Sequence, residues 1–120
     1  MVTIEEVAAF ARTLPRSEEA IVRGRLRFRV RSTVWLAFSA DGAQMGLAFP
    51  KEMREALVAT HPEKYLVPKP SDMRFNWVLA RLAAIDTEEM REIVLDAWRM
   101  VVPKKVALAQ AQGAAEGAPR

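Results

Sequence analysis

Apolar residues recur along this chain with two different periods, and each change of period marks a change of local structure. Near the start, Ile4, Val7, Ala8, Ala11 and Leu14 fall on one face of a helix. Thr3 stands at its N-cap with Glu6 three residues on, the pairing of a capping box, and Pro15 ends the run. Residues 26–31 alternate apolar and charged with period 2, as a half-buried strand does. A second strand is predicted over 33–39 and a third over 44–49, with Met45, Leu47 and Phe49 on one face and Asp41-Gly42 at the tip of the turn between them. Pro50 suits the first position of a helix running to Thr60, with Met53, Ala56 and Leu57 inward and His61-Pro62 closing it. The stretch 64–74 carries two prolines and reads as a short edge strand and a loop. Residues 75–82 form another strand. Asp86 then caps a last helix with an apolar stripe of Met90, Ile93, Val94, Ala97, Trp98 and Val101. Trp77 and Trp98 are both assigned to the core.

The order is helix, three strands, helix, two strands, helix. Strands grouped between helices predict an α+β fold in two layers, an antiparallel sheet with the helices on one face. A chain of 120 residues fits one such domain. The domain is expected over 1–106, followed by a flexible tail over 107–120, where Ala, Gln, Gly and Pro offer little to bury.

Charge changes this picture in one place. The net charge is only +3, yet residues 16–31 hold six arginines against two glutamates, while the rest of the chain holds twelve basic and thirteen acidic residues. Arg23, Arg25, Arg27, Arg29 and Arg31 alternate with Gly24, Leu26, Phe28 and Val30. On a strand, residues two apart share a face at about 6.7 Å spacing, so five arginines would form a row of about 27 Å. Pairing the core sets of neighbouring strands places Phe28 opposite Leu36 and Val30 opposite Val34, around a three-residue loop, Arg31-Ser32-Thr33. That register sets Arg27 opposite Ala37 and Arg29 opposite Trp35, which puts a tryptophan on the arginine face. Such a pair is either ordinary cation–π packing on a solvated sheet face or part of a basic and aromatic platform for phosphates and bases.

Other chemistry finds little support. Cysteine is absent and His61 is the single histidine, which leaves no thiol catalysis, no disulfide and no Cys/His metal set. His61 reads as a helix-end residue. Asp72, Asp86, Glu88 and Glu89 read as loop and cap residues. Gly24, Gly42 and Gly46 lack phosphate-loop spacing, and Ser17, Ser32, Ser39 and Ser71 have no evident activating base. The expectation is a protein without enzymatic activity, cofactor or metal. No apolar run reaches membrane-spanning length, and the opening MVTIEEVAAF has no basic n-region, so cytoplasmic residence is expected.

The string Gly24-x-x-x-Phe28-Arg29-Val30-Arg31, then Val34-Trp35, then PKEMREAL over 50–57, resembles the MmcQ/YjbR family. NWVLARL (76–82) and EEMREIVLDAWRMVVPKK (88–105) resemble its closing strand and helix, so the likeness spans about residues 3–106. The resemblance implies a two-layer α+β fold with a sheet like that of type III secretion chaperones, and DNA binding through a "double wing" motif. It brings no catalytic residues. Arg25 and Arg27 depart from the family pattern, which is not reliably basic there. Two functional expectations follow. One is DNA binding of low sequence specificity through Arg23, Arg25, Arg27, Arg29 and Arg31, with Trp35 stacking or buttressing. The other is a protein-interaction module, meeting an acidic protein or a second copy through the same face, with Glu88, Glu89, Glu92 and Asp96 as a candidate acidic counterpart.

Overall fold

Why the chain starts as a helix is visible in its first turn. In a computed structural model that describes residues 1–116, α1 spans Ile4–Arg12. The Thr3 hydroxyl accepts from the Glu6 amide at 3.1 Å while the Glu6 carboxylate accepts from the Thr3 amide at 3.3 Å, so the capping box forms as its spacing predicts. The strands are β1 (Glu18–Val22), β2 (Arg25–Val30), β3 (Thr33–Phe38), β4 (Gln44–Ala48), β5 (Tyr65–Leu66) and β6 (Trp77–Arg81). The further helices are α2 (Lys51–Thr60), α3 (Thr87–Arg99) and α4 (Lys104–Glu116). The strands form one antiparallel sheet in the order β1-β2-β3-β4-β6-β5.

The architecture is the expected α+β arrangement with two additions. β1 extends the sheet beyond the arginine strand, and α4 covers much of the segment expected as a tail. A strand at the sheet edge needs no apolar alternation, and EEAIV offers none, so its sequence carries no period to read. The segment KKVALAQAQGAAE has little to bury but is rich in strong helix formers. Residues 117–120 lie outside the described residues.

The core lies between the sheet and its helices. Phe28 and Val30 from β2, Leu36 and Phe38 from β3, Met45 and Leu47 from β4, and Val78 and Ala80 from β6 face α1 and α3, which supply Val7, Ala8, Ala11, Met90, Val94, Ala97 and Trp98. Each large side chain fully buried there contributes about 1.5–3 kcal/mol. Helix α2 is rotated from its expected setting. Met53 is 58% exposed and Ala56 is exposed, while Leu57 and Val58 pack on the core and Arg54 is buried. The Arg54 guanidinium donates to the carbonyls of Met73 (2.7 Å), Trp77 (2.9 Å) and Phe75 (3.0 Å). A buried cation is tolerable only when its donors are met. Here three backbone acceptors meet them, and the loop leading into β6 is tied to α2.

The β2–β3 register agrees with expectation at Phe28↔Leu36 and Arg27↔Ala37, then departs from it. A bulge follows, so that Arg29 faces Val34 and Val30 faces Thr33, around the two-residue turn Arg31-Ser32. Trp35 is the extra residue. A bulge lets consecutive residues turn toward the same side, and both Trp35 and Leu36 are fully buried. The Trp35 ring lies 6.3 Å from that of Phe28. Trp35 therefore belongs to the core and not to the arginine face, and Val34 takes the outward position.

Candidate functional site

Arg25, Arg27 and Arg29 point to the face of the sheet opposite the core side, the open face, which Met100 and Val101, just past α3, border at one end. The parity of β2 dictates it: Phe28 and Val30 are buried on the helix side, so the alternate residues face outward. Arg25 and Arg29 are exposed and Arg27 is half-buried. Arg23 and Arg31 are not in the row. They occupy turns at opposite ends of β2, both at positive φ, 54° and 57°. Arg23 is followed by Gly24 at φ 78°, so two consecutive positive-φ residues join β1 to β2, the geometry a tight hairpin needs.

The face is less purely basic than residues 23–31 suggest, because β1 brings in an acid. Glu18 pairs with Arg29 across the strands, and its Oε2 lies 3.6 Å from Arg29 Nε. Glu19 points to the helix side instead. There Arg12 grips it with two bonds of 2.6 and 2.9 Å, and these hold the Glu19 carboxyl below its ordinary pKa.

Across the sheet, the same outward parity selects Ala37 from β3, Gly46 and Ala48 from β4, and Trp77, Leu79 and Arg81 from β6. Trp77 is thus on the open face and not in the core. It is half-buried, and its indole edge fills the space a side chain at Gly46 would need: a Cβ there would sit 2.5–2.7 Å from Nε1, Cζ2 and Cε2. The loop between β5 and β6 rises beside it, with Pro70–Asp72 as a 3₁₀ turn. Between this loop and β2 runs a groove with lobes of about 760 and 280 Å³. Ala37, Lys69, Asp72 and Trp77 border both lobes, Arg27 and Phe75 the larger and Arg25 the smaller. Phe75 is 50% exposed, with the Arg74 guanidinium 4.7 Å from its ring centre. Arg81 is already engaged, donating to the carbonyls of Pro62 and Glu63.

The aromatic partner of the arginines is therefore Trp77 from β6, not Trp35 from β3. One signal for this lies in the sequence. Within FNWVLARL, Trp77 shares its parity with Arg81, which a core strand would not accept. The contributions of Lys69, Asp72 and Phe75 depend on how an irregular loop folds, and no period announces that.

The acidic side of α3 lies on the helix layer. Glu89 accepts from Lys64 Nζ at 2.9 Å and from the Tyr65 hydroxyl at 2.7 Å. Burial pushes the Glu89 carboxyl up, but the Tyr65 and Lys64 bonds outweigh it, so the group titrates below its ordinary value. Burial first, and then the Glu89 contact, push the Tyr65 phenol up. Asp96 is held by Arg99 at 3.2 Å. Among the described residues no three His, Cys, Asp or Glu side chains gather as metal ligands, and no helix is long and apolar enough to cross a membrane.

Comparison with known proteins bears on the fold. A family model described as YjbR matches residues 12–100. A solved structure, that of a Deinococcus radiodurans protein with a DUF419 domain, superposes with a TM-score of 0.71 at 20% identity, covering 83% of this chain and 78% of that one. No curated protein matches.

Proposed function

The chain belongs to the YjbR family, and from that premise we propose that it binds nucleic acid with low sequence specificity, in the cytoplasm and without catalysis, through the open face of its sheet. The observation that carries this reading is the line Arg25, Arg27, Arg29 on the sheet face away from the core, with Arg23 and Arg31 at the turns that end the strand. Guanidinium forks suit phosphate oxygens. Among the described residues no helix presents a row of base-reading side chains on that face, so contacts position the partner without reading its sequence. The hairpins that share β2 would serve as the wings.

The turns add support of a different kind. Arg16, Arg23 and Arg31 all hold positive φ, where a non-glycine residue costs about 1–2 kcal/mol. Glycine or asparagine would fit these positions more easily. Arginine standing there instead is what a requirement for charge would produce.

The test is fluorescence anisotropy of labelled oligonucleotides against salt, comparing wild type with Arg25→Ala/Arg27→Ala/Arg29→Ala. Three phosphate contacts give a slope of log K against log salt of about −2.7 on duplex DNA, and the two turn arginines bring it toward about −4.5. A slope near zero, or binding that survives the triple substitution, refutes the reading.

A protein partner is the second reading, and a separate observation favours it. β1 is an edge strand with open backbone groups, and Ile21 on it is 72% exposed. Light scattering over a concentration series separates self-association through this edge from a monomer.

A further inference from the structure

We propose that the groove on the open sheet face is a stacking site for an unpaired nucleobase, which makes single-stranded nucleic acid, rather than duplex, the ligand of that face. This rests on the reading of the face as a nucleic-acid surface and names its substrate class. The argument starts from what stands side by side. Trp77 and Phe75 are the aromatic groups of the larger lobe, and Arg27 and Lys69 flank them. Neither cation is engaged in an ion pair among the described residues.

Aromatic rings beside free cations match an unstacked nucleotide, whose base has a planar apolar face and whose phosphate is an anion. Asp72 and Asn76 line the same lobe and supply an acceptor and a donor for the polar edge of a base. A volume of about 760 Å³ suits a nucleoside-sized group. Complementary charge also decides against a purely apolar occupant, which would leave Arg27, Lys69 and Asp72 desolvated without partners.

Duplex DNA cannot use this lobe. Its bases are stacked inside the helix, and the groove is concave, walled on one side by β2 and on the other by the loop before β6. A duplex resting on the face would meet the arginines through its phosphates and leave Trp77 and Phe75 without a base to stack on. A single strand can lay its phosphates along Arg25, Arg27 and Lys69 while one base turns in toward Trp77.

The fluorescence of the protein offers a local probe. Trp35 and Trp98 are fully buried, so Trp77 is the tryptophan that a bound base can touch. Intrinsic emission is titrated at low salt with a thymidine oligomer and with a duplex of equal length, using wild type, Phe75→Ala and Trp77→Phe. The single strand is expected to quench wild-type emission and to bind at least about five-fold more tightly than duplex, the scale of one base–aromatic stack. Phe75 is half exposed, so its truncation leaves the core intact. Phe75→Ala should lose about five-fold or more in single-strand affinity with duplex binding unchanged, and Trp77→Phe should lose the quench. Equal affinity for the two forms, or single-strand binding that neither quenches emission nor responds to Phe75→Ala, overturns the proposal and leaves the arginine face standing as a phosphate surface. Absence of salt-sensitive binding to either form overturns both.

Discussion

Gly46 has ordinary strand backbone and needs no glycine for its own sake; what excludes a larger residue is the indole of Trp77. An alanine Cβ at 46 would meet Nε1, Cζ2 and Cε2 at 2.5–2.7 Å, closer than atoms can sit, so the indole must move. Trp77 is half-buried and borders an open groove, which gives the ring somewhere to go. The cost therefore falls in the lower part of the overpacking range, about 1–2 kcal/mol. Against it stands the backbone entropy that alanine saves inside a strand, about 0.5–1 kcal/mol. Gly46→Ala alone should thus lose up to about 1.5 kcal/mol, near 6 °C in Tm for a chain of this size. In a Trp77→Ala background the clash is gone and only the backbone gain remains, so the same substitution should stabilise by about 0.5–1 kcal/mol. The assay is a double-mutant cycle by urea denaturation of the four proteins, with an interaction term of about 1–2 kcal/mol expected. An interaction term within about 0.3 kcal/mol of zero refutes the packing of Trp77 on Gly46, and with it the shape of the groove.

Three further outcomes follow from other contacts. Arg23→Asn places the residue suited to a positive-φ hairpin position before Gly24, so the protein should gain about 0.5–1 kcal/mol in chemical denaturation while the salt slope on duplex DNA weakens by about 0.9; stability gained with an unchanged slope would remove Arg23 from the binding surface. Trp98 Nε1 donates to the Pro15 carbonyl at 2.8 Å, whereas Trp35 Nε1 is buried without a partner among the described residues, so Trp98→Phe should cost about 1–2 kcal/mol more than Trp35→Phe in urea, and equal losses would contradict the assigned bond. Glu89 titrates below its ordinary 4.5 in the fold, so its contribution is present above pH 4.5 and is lost as pH falls through the folded value; the stability gap between wild type and Glu89→Gln should close on acidification, and a gap constant from pH 7 to pH 2 would refute the linkage.

Much of the fold is legible in the sequence because hydrophobic periods and caps are local signals. The capping box at Thr3 and Glu6, the cap at Asp86, the alternation in β2 and the stripe of α3 all report structure within a few residues of themselves. The site is less legible because it depends on parity across strands. A single bulged residue moves Trp35 from the outward face to the core and Val34 the opposite way, and nothing within TVWLAF distinguishes a bulged strand from a regular one. Trp77 errs in the other direction for a related reason. The core side of β6 carries the smaller residues Val78 and Ala80, in the strand against which α2 packs. Bulk alone then points to the wrong face. Helix α2 repeats the lesson, since Arg54 turns inward to reach three carbonyls that lie some twenty residues ahead in the chain.

The two layers of the molecule treat their charges differently, and this bears more on function than the net charge does. On the helix side three cations are paired, Arg12 with Glu19, Lys64 with Glu89 and Arg99 with Asp96, while Arg91 lies over the Phe10 ring and Arg54 is met by backbone carbonyls. On the sheet side Arg25, Arg27 and Lys69 make no ion pair among the described residues, and Arg29 has only Glu18, at 3.6 Å with both side chains well exposed. An exposed pair of that kind contributes about 0–1 kcal/mol and is screened by salt, so Glu18 moderates the field of the face without cancelling it. A face kept charged only for solubility would interleave the two signs. Here the closer ion pairs lie on the helix side, while on the open side Arg25, Arg27 and Lys69 stay without an ion pair among the described residues beside only Glu18 and Asp72, so a chain with a net charge of only +3 gathers its unpaired arginines on one side. An anionic partner approaching that side meets unpaired arginines first and the aromatic groove behind them, and the order of those two encounters sets long-range attraction before short-range discrimination.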